Sequence, residues 1–139
     1  MSYAYWTGAH TKHRLRFHLV WIPKYRKRVL RGKIPKRLRE LFYQAAEVNR
    51  WWVHKLSIGV NHVHLIIQIN PTDNIAKVVQ RLKGGSSKVI REEFPELVEF
   101  LWGDSFWADG YFAETVGKVD ETIIKKYIDD QNSSMPQKA

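Results

Sequence analysis

Two histidines near the middle of the chain have a spacing that predicts metal chemistry. His62 and His64 begin a segment in which every second residue is apolar, namely Val63, Leu65, Ile67 and Ile69. Because side chains alternate between the faces of a strand, this pattern predicts one face directed at a core and both histidines on the other. Two imidazoles at i and i+2 can bind one ion, but two ligands do not complete a metal site. The alternative is a pair of half-exposed histidines without a ligand.

A second pair of candidate residues lies near the end of the chain. Tyr127 and Gln131 are four residues apart, so a helix would place them on one face, one turn apart. With two imidazoles, a glutamine oxygen would leave positions open on an octahedral Mg²⁺ or Mn²⁺ ion. A tyrosine beside that ion could attack a phosphodiester, since the metal would polarise the phosphoryl oxygens. The alternative is a core tyrosine, because Ile123, Ile124 and Ile128 form an apolar stripe with it.

The composition excludes several other classes of protein. The chain has 139 residues and no cysteine, which excludes disulfides, thiolate zinc sites and a cysteine nucleophile. Its hydrophobic content of 44% is too high for a disordered basic tail. We expect one domain over residues 1–139, with 132–139 a flexible polar tail. No apolar run approaches the roughly 18 to 20 residues of a membrane span, and no secretory signal opens the chain, so we expect no membrane partner.

The positive charge is concentrated in the first part of the chain. The net charge is +9, and residues 1–50 contain 13 Lys and Arg against only Glu40 and Glu47. The remaining residues contain 10 Lys and Arg against 12 acidic residues. This distribution indicates a polyanionic partner for the basic part, the alternative being a solvated face that keeps the protein soluble.

The periodicity predicts seven elements in the order β-α-β-β-α-β-α. Strands are expected at about 14–21, 51–58, 62–69 and 106–116, the last with a bend at Gly110. Helices are expected at about 35–49, from 75 to Pro95, and from Asp120 through Ile128, with Gly84-Gly85 weakening the second helix. The order predicts an α+β fold, in which helices pack on an antiparallel sheet in a ferredoxin-like arrangement.

Several segments together resemble one known family. His62-Val63-His64 matches the His-hydrophobic-His motif of HUH endonucleases, and residues 126–131 (KYIDDQ) match the Tyr-x-x-x-Gln helix of the single-tyrosine HUH transposases. Residues 21–30, 82–87, 101–107 and 111–117 resemble further blocks of that family, so the resemblance covers roughly residues 14 to 131. Many members have Asp before the first motif histidine, where this chain has Asn61. That difference concerns the orientation of His62 and removes no ligand.

The resemblance implies an enzyme that cleaves and rejoins single-stranded DNA at insertion-sequence ends. Tyr127 would attack the scissile phosphate while Mg²⁺ or Mn²⁺, held by His62, His64 and Gln131, positions it. The products would be a 5′-phosphotyrosine and a 3′-hydroxyl, with no small-molecule cofactor. The resemblance further implies DNA with hairpin ends as substrate, a homodimer because one tyrosine makes one cut, and a DNA-associated enzyme in a prokaryotic cytoplasm.

Contacts with DNA are expected from cations and aromatic side chains, which suit hairpins and unpaired bases. The candidates are Arg14, Lys24, Tyr25, Arg26, Lys27 and Arg28, followed by Lys83 and Lys88. Two other functions remain open at this point. One is a binding module that holds DNA or RNA hairpins without chemistry, and the other is a domesticated relative that acts on host repeats.

Overall fold

A four-stranded antiparallel sheet forms the centre of the fold. The structure, a computed structural model, describes residues 6–7, 12–13, 15–97, 99, 105–117, 123 and 125–129. The sheet contains β3 (Leu15–Trp21), β4 (Trp52–Gly59), β5 (His62–Ile69) and β6 (Phe112–Thr115), in the spatial order β4-β5-β3-β6. A separate ribbon of two short strands, β1 (Trp6–Thr7) and β2 (Lys12–His13), precedes it and was not predicted. The α+β, ferredoxin-like prediction is confirmed.

The main core lies between one face of the sheet and two long helices, α1 (Ile34–Asn49) and α2 (Ile75–Glu93). The inward residues of β5 are fully or almost fully buried, as the alternation predicts, namely Val63, Leu65, Ile67 and Ile69. The two helices contribute apolar stripes, including Leu38 and Phe42 from α1 and Val78 and Leu82 from α2. This packing fixes which residues of β5 face away from the core.

Helix α2 continues through Gly84 and Gly85, so the two glycines do not interrupt it. The buried stripe on both sides of the glycines stabilises the helix against their low propensity. Ser86, also buried, donates to the carbonyl of Leu82. The Asn74 side chain caps the first turn, where its Oδ1 accepts from the backbone N–H of Ala76.

The last strand is shorter than the predicted range of 106–116. Only Phe112–Thr115 pair with β3, while Trp107 forms an isolated bridge to Pro23. The intervening segment turns at Gly110, whose φ is +82°, as the predicted bend requires. The Nζ of Lys83 donates to the carbonyls of Ala108 and Gly110, at 2.7 and 2.8 Å. This segment is therefore attached to α2 instead of extending the sheet.

A third helical segment lies against the opposite face of the sheet. Residues 125–129 are helical, as is residue 123, and we call residues 125–129 α3. Ile128 is completely buried, and so is Ile66, which projects from β5 on the side away from the main core. The Nζ of Lys55 lies 2.6 Å from the Oδ1 of Asp129, which ties α3 to β4. None of the helices among the described residues is long and apolar enough to cross a membrane.

Candidate active site

His62 and His64 lie side by side on the sheet face that is turned away from the main core. Their ring centroids are 4.9 Å apart and the ring planes are nearly perpendicular, at 80°. The two residues are only 5% and 6% exposed, so they are not the half-exposed pair that was the alternative interpretation. Buried imidazoles on adjacent outward positions of one strand form a site in which two ring nitrogens can approach one ion.

The orientation of the His62 ring is set by its neighbours in the β4–β5 hairpin. Its Nδ1 lies 2.9 Å from the Oδ1 of the fully buried Asn61. When Nδ1–H donates to this oxygen, the ring lone pair lies on Nε2, the atom that can bind a metal. Asn61 therefore supplies the acceptor that a carboxylate would supply at this position, without its charge.

The hairpin also provides space for that ring. Gly59 pairs with His62 across the hairpin, and a methyl group at position 59 would overlap the imidazole, lying 2.8 Å from its Nδ1 and closer still to other ring atoms. Since φ at Gly59 is not in the left-handed region, the glycine is required here for space and not for backbone conformation.

His64 contacts a third histidine that the sequence interpretation did not place at the site. The Nε2 of His18 lies 3.2 Å from the Nδ1 of His64, and the Nδ1 of His18 lies 3.4 Å from the Oε2 of Glu114. Burial lowers the pKa of His18, while the hydrogen bond and the charge of Glu114 act in the opposite direction. The sequence feature that could have placed His18 on this face is the alternation in β3, where Arg16 and His18 stand between apolar residues.

The described residues include two of the three predicted metal ligands, His62 and His64. Among the residues that the structure describes, no group of three His, Cys, Asp or Glu side chains is arranged to hold a metal ion. Since Nδ1 of His62 and of His64 each face another side chain, the donors that fit an ion are the two Nε2 atoms. A further ligand must come from elsewhere, and Gln131, the predicted one, lies outside the described residues.

Tyr127 lies on the exposed side of α3. Its side chain is 57% exposed, whereas the next residue, Ile128, is fully buried. The alternative interpretation of Tyr127 as a core residue is therefore wrong. Its hydroxyl is accessible to a large substrate, and Lys55 and Asp129 hold the helix on the sheet face that carries the histidines.

The loop that contains the candidates Lys24, Tyr25, Arg26, Lys27 and Arg28, here called the basic loop, forms one wall of a cleft of about 690 Å³. Lys24–Arg26 make a short 3-10 turn, in which Tyr25 and Arg26 have positive φ values of 59° and 53°. The ring of Tyr25 is 59% exposed, with the Lys24 ammonium 5.5 Å from its centroid. The cationic side chains that line the cleft are Arg26, Lys27, Arg28 and Arg31. Cations beside an exposed aromatic ring are suited to a nucleic-acid strand.

The other residues predicted to contact DNA, Lys83, Lys88 and Arg14, do not share one environment. Lys88 is exposed on α2, whereas Lys83 is half-buried with its ammonium bonded to two carbonyls. Burial lowers the pKa of Lys83, and the charge of Asp109 opposes that shift. Lys83 thus has a structural role that its sequence position did not predict. Arg14 lies outside the described residues.

A polar cluster that was not predicted lies on the same sheet face as the two histidines, toward the Ile69 end of β5. The Oε1 of Gln68 accepts from the Nε of Arg16 at 3.1 Å, and the Nε2 of His54 lies 2.9 Å from the same oxygen. Burial lowers the pKa of Lys125 on α3, and the nearby charges of Arg16 and Lys55 lower it further. This face therefore continues from the histidines into a cationic region.

Comparison with known proteins agrees with this geometry. The model of a family described as "Transposase IS200 like" matches residues 11–131. The ISDra2 transposase TnpA of Deinococcus radiodurans is 33% identical over 120 residues, which cover 86% of each chain. The transposase for insertion sequence element IS200 of Salmonella typhimurium is 28% identical over 123 residues, covering 88% of this chain and 80% of that one.

Solved structures share the fold. A crystal structure from Deinococcus radiodurans superposes with a TM-score of 0.75 at 29% identity, covering 91% of this chain and 98% of that one. A REP-associated tyrosine transposase bound to a REP hairpin superposes with a TM-score of 0.60 at 14% identity, covering 92% and 70%. Since the family model spans nearly the whole chain, with the histidine pair and the tyrosine helix inside its bounds, this chain belongs to the IS200-like transposases.

Proposed function

We propose that this transposase cleaves and rejoins single-stranded DNA at the ends of a mobile element, with Tyr127 as nucleophile. The observation that carries the proposal is the pair of buried, adjacent imidazoles on the sheet face that α3, the helix of Tyr127, covers. A module that only binds hairpins has no need for two histidines oriented in this way and an accessible tyrosine on the helix that lies against the same sheet face.

A divalent ion, Mg²⁺ or Mn²⁺, would be held by His62, His64 and Gln131. The Nδ1 contacts of the two histidines leave their Nε2 atoms as the donors. Oxygens from Gln131, water and the DNA phosphate would supply the remaining hard ligands that Mg²⁺ or Mn²⁺ requires. When bound, the ion polarises the phosphoryl oxygens and offsets the charge that develops on them. Burial of both imidazoles restricts their rotation, so the donors are held in place before DNA binds.

The chemical step exchanges one phosphodiester for another. The Oη of Tyr127 loses its proton and forms a bond to the scissile phosphorus, while the bond from phosphorus to the 3′-oxygen breaks and that oxygen takes up a proton. The 5′-phosphotyrosine keeps the energy of the broken bond, so a different 3′-hydroxyl can attack it and rejoin strands without ATP. The exposure of Tyr127 leaves its hydroxyl accessible for this reaction.

The DNA strand would be held by the cleft of the basic loop. Arg26, Lys27 and Arg28 would contact phosphates, and the exposed ring of Tyr25 would stack on an unpaired base. We propose that the protein recognises DNA hairpins at the ends of the mobile element. The structural neighbour bound to a REP hairpin shares this fold, which motivates that part of the proposal.

The proposed assembly is a homodimer that acts on DNA in the cytoplasm. One tyrosine per site performs one cleavage, and moving an element requires two ends, so two chains are needed.

The test is a covalent adduct on a denaturing gel. The wild-type protein is incubated with Mn²⁺ and end-labelled single-stranded oligonucleotides that tile both strands of the sequences flanking its own gene. We expect a protein–DNA band that retains a 3′-end label, loses a 5′-end label and is abolished by EDTA. The band should disappear in Tyr127→Phe and remain in Tyr43→Phe, which removes a hydroxyl from an exposed tyrosine on α1.

Two outcomes contradict the proposal. An adduct that persists in Tyr127→Phe excludes this tyrosine as the nucleophile. Tight binding of an oligonucleotide with no adduct under any divalent ion favours a hairpin-binding module instead.

A further inference from the structure

We propose that His18 and Glu114 are positioning residues that fix the tautomer of His64, so that the Nε2 of His64 carries the lone pair. This inference rests on the proposed function, because it assigns to His64 the role of a metal ligand. It adds two residues, on β3 and β6, to a site whose described motif residues are His62 and His64 on β5 and Tyr127 on α3.

The strand register brings these three side chains together. His18 on β3 is paired directly with Glu114 on β6, on one side of the strand. On its other side, β3 pairs with β5 so that His64 stands opposite Val20, the next residue along on the same face as His18. His18 therefore lies diagonally beside His64. Their ring planes are nearly parallel, at 12°, and the centroids are 5.5 Å apart, so the facing nitrogens meet edge to edge.

The chemistry of the three groups sets the direction of each hydrogen bond. An ionised Glu114 can only accept, so the Nδ1 of His18 carries a proton and donates to Oε2. A neutral His18 then has its lone pair on Nε2, where it accepts from the Nδ1–H of His64. The remaining nitrogen of His64, Nε2, is left with the lone pair that binding an ion requires.

The same geometry distinguishes His18 from a third ligand. Its Nε2 is directed at the Nδ1 of His64, the side of that ring opposite to the metal-binding nitrogen. The described residues contain no arrangement of three His, Cys, Asp or Glu that could hold an ion, although His18, His62 and His64 are neighbours. His18 bonds the ring nitrogen of His64 that does not face the ion, and Glu114 in turn bonds His18. This arrangement is typical of groups that orient metal-binding histidines.

Glu114 connects this arrangement to the edge of the sheet. Its side chain is 46% exposed, whereas that of His18 is 8% exposed. The ring of Phe112, two residues earlier on β6, packs edge-on against His18 with centroids 6.0 Å apart. Correct pairing of the short edge strand is thus a condition for the orientation of His64.

The first test reads the tautomer directly, in the metal-free wild-type protein. Long-range ¹H–¹⁵N NMR spectra, recorded above the ordinary pKa of histidine, identify the protonated nitrogen of each ring. We expect the proton of both His18 and His64 on Nδ1. In His18→Phe, which keeps an aromatic ring at that position, His64 should change toward the Nε2–H tautomer that is preferred in solution.

The second test measures Mn²⁺ affinity from the EPR signal of the unbound ion. We expect His18→Phe to weaken binding about 10- to 100-fold, the usual effect of removing a group that orients a ligand. Glu114→Gln retains an acceptor oxygen and should weaken binding less than Glu114→Ala. The control is His54→Phe, which removes a half-buried imidazole that bonds Gln68, and it should leave Mn²⁺ affinity unchanged. Far-UV circular dichroism checks that each variant is folded.

The inference is overturned by any of three results. These are a wild-type His64 with its proton on Nε2, an unchanged tautomer in a folded His18→Phe, or a Mn²⁺ affinity that His18→Phe does not lower. Failure of the proposed function would look different, since a protein without adduct formation could still show the expected tautomers and Mn²⁺ binding. An adduct formed by a protein whose His64 has the other tautomer would refute this inference alone.

Discussion

Replacement of Gly59 by alanine should disturb the site without altering any proposed ligand. Gly59 faces His62 across the hairpin, and an added methyl group would lie 2.8 Å from the ring Nδ1, where ordinary van der Waals contact begins at 3.4 Å. The ring would therefore have to recede by more than half an ångström. That displacement also disturbs the 2.9 Å contact with the Oδ1 of Asn61, which orients the ring.

The size of the effect follows from the geometry of metal binding. Metal–ligand distances tolerate only about 0.2 Å of variation, so a ring displaced by half an ångström or more no longer fits an ion shared with His64. We expect the Mn²⁺ affinity of Gly59→Ala, measured by EPR, to fall about 10- to 100-fold, the range seen when the orientation of a ligand is disturbed. The rate of adduct formation at limiting Mn²⁺ should fall with it.

Gly84→Ala provides a matched control for this change. Position 84 is exposed inside α2, and an added methyl group would have no atom within 4 Å. Mn²⁺ affinity should be unchanged, and the helix should become more stable by about 0.5–1 kcal/mol. If Gly59→Ala binds Mn²⁺ as tightly as the wild type, the argument that Gly59 makes room for a metal-binding His62 is refuted.

Three further changes test other parts of the account. Arg26→Ala combined with Arg28→Ala should weaken single-stranded DNA binding and lower the slope of log K against log salt by about 1.4, since each phosphate contact contributes about 0.7. Lys83→Met removes the ammonium that bonds two carbonyls near Gly110, and the free energy of unfolding in urea should fall by about 1–2 kcal/mol. The hydrogen bonds from Arg37 lower the pKa of Glu93, so the stability from this pair is present above the ordinary value of 4.5 and is lost as the pH falls below it. The difference in Tm between wild type and Glu93→Gln should accordingly be largest at neutral pH and disappear in acid.

The first two changes are each paired with a control at another lysine. Lys77→Ala removes an exposed cation outside the loop and should leave the salt slope unchanged, whereas an unchanged slope in the double arginine variant contradicts the placement of the strand. Lys88→Met should not alter stability, and equal stability of Lys83→Met would show that its hydrogen bonds contribute nothing. A Glu93→Gln difference in Tm that persists in acid contradicts the ion pair.

The parts of the fold that depend on local periodicity could be predicted from the sequence. The third predicted strand, His62–Ile69, has the bounds found in the structure, because its alternation leaves only one way to bury the apolar residues. The last strand was predicted too long because residues 106–111 have strand-like composition but are held by Lys83 from a distant helix. A contact of that kind leaves no periodic signal.

The candidate residues were chosen on two different grounds. His62 and His64 follow from the alternation of one strand, whereas Tyr127 follows from the resemblance to a Tyr-x-x-x-Gln helix, since its spacing to Gln131 leaves a core tyrosine open. His18 was missed because its partners are on two neighbouring strands, and strand register cannot be read from one sequence. The exposure of Tyr127 depends on which side of α3 meets the sheet, which is a property of tertiary packing.

In the proposed reaction, Tyr127 itself becomes linked to the 5′ end of a cut DNA strand. The most direct measurement is mass spectrometry of the adduct, after nuclease trimming of the DNA and proteolysis of the protein. We expect a peptide whose added nucleotide is attached through phosphate to the oxygen of Tyr127, present only in reactions that contain a divalent ion. A nucleotide on any other residue, or a phosphotyrosine that carries the 3′ end of the cut strand, would contradict it.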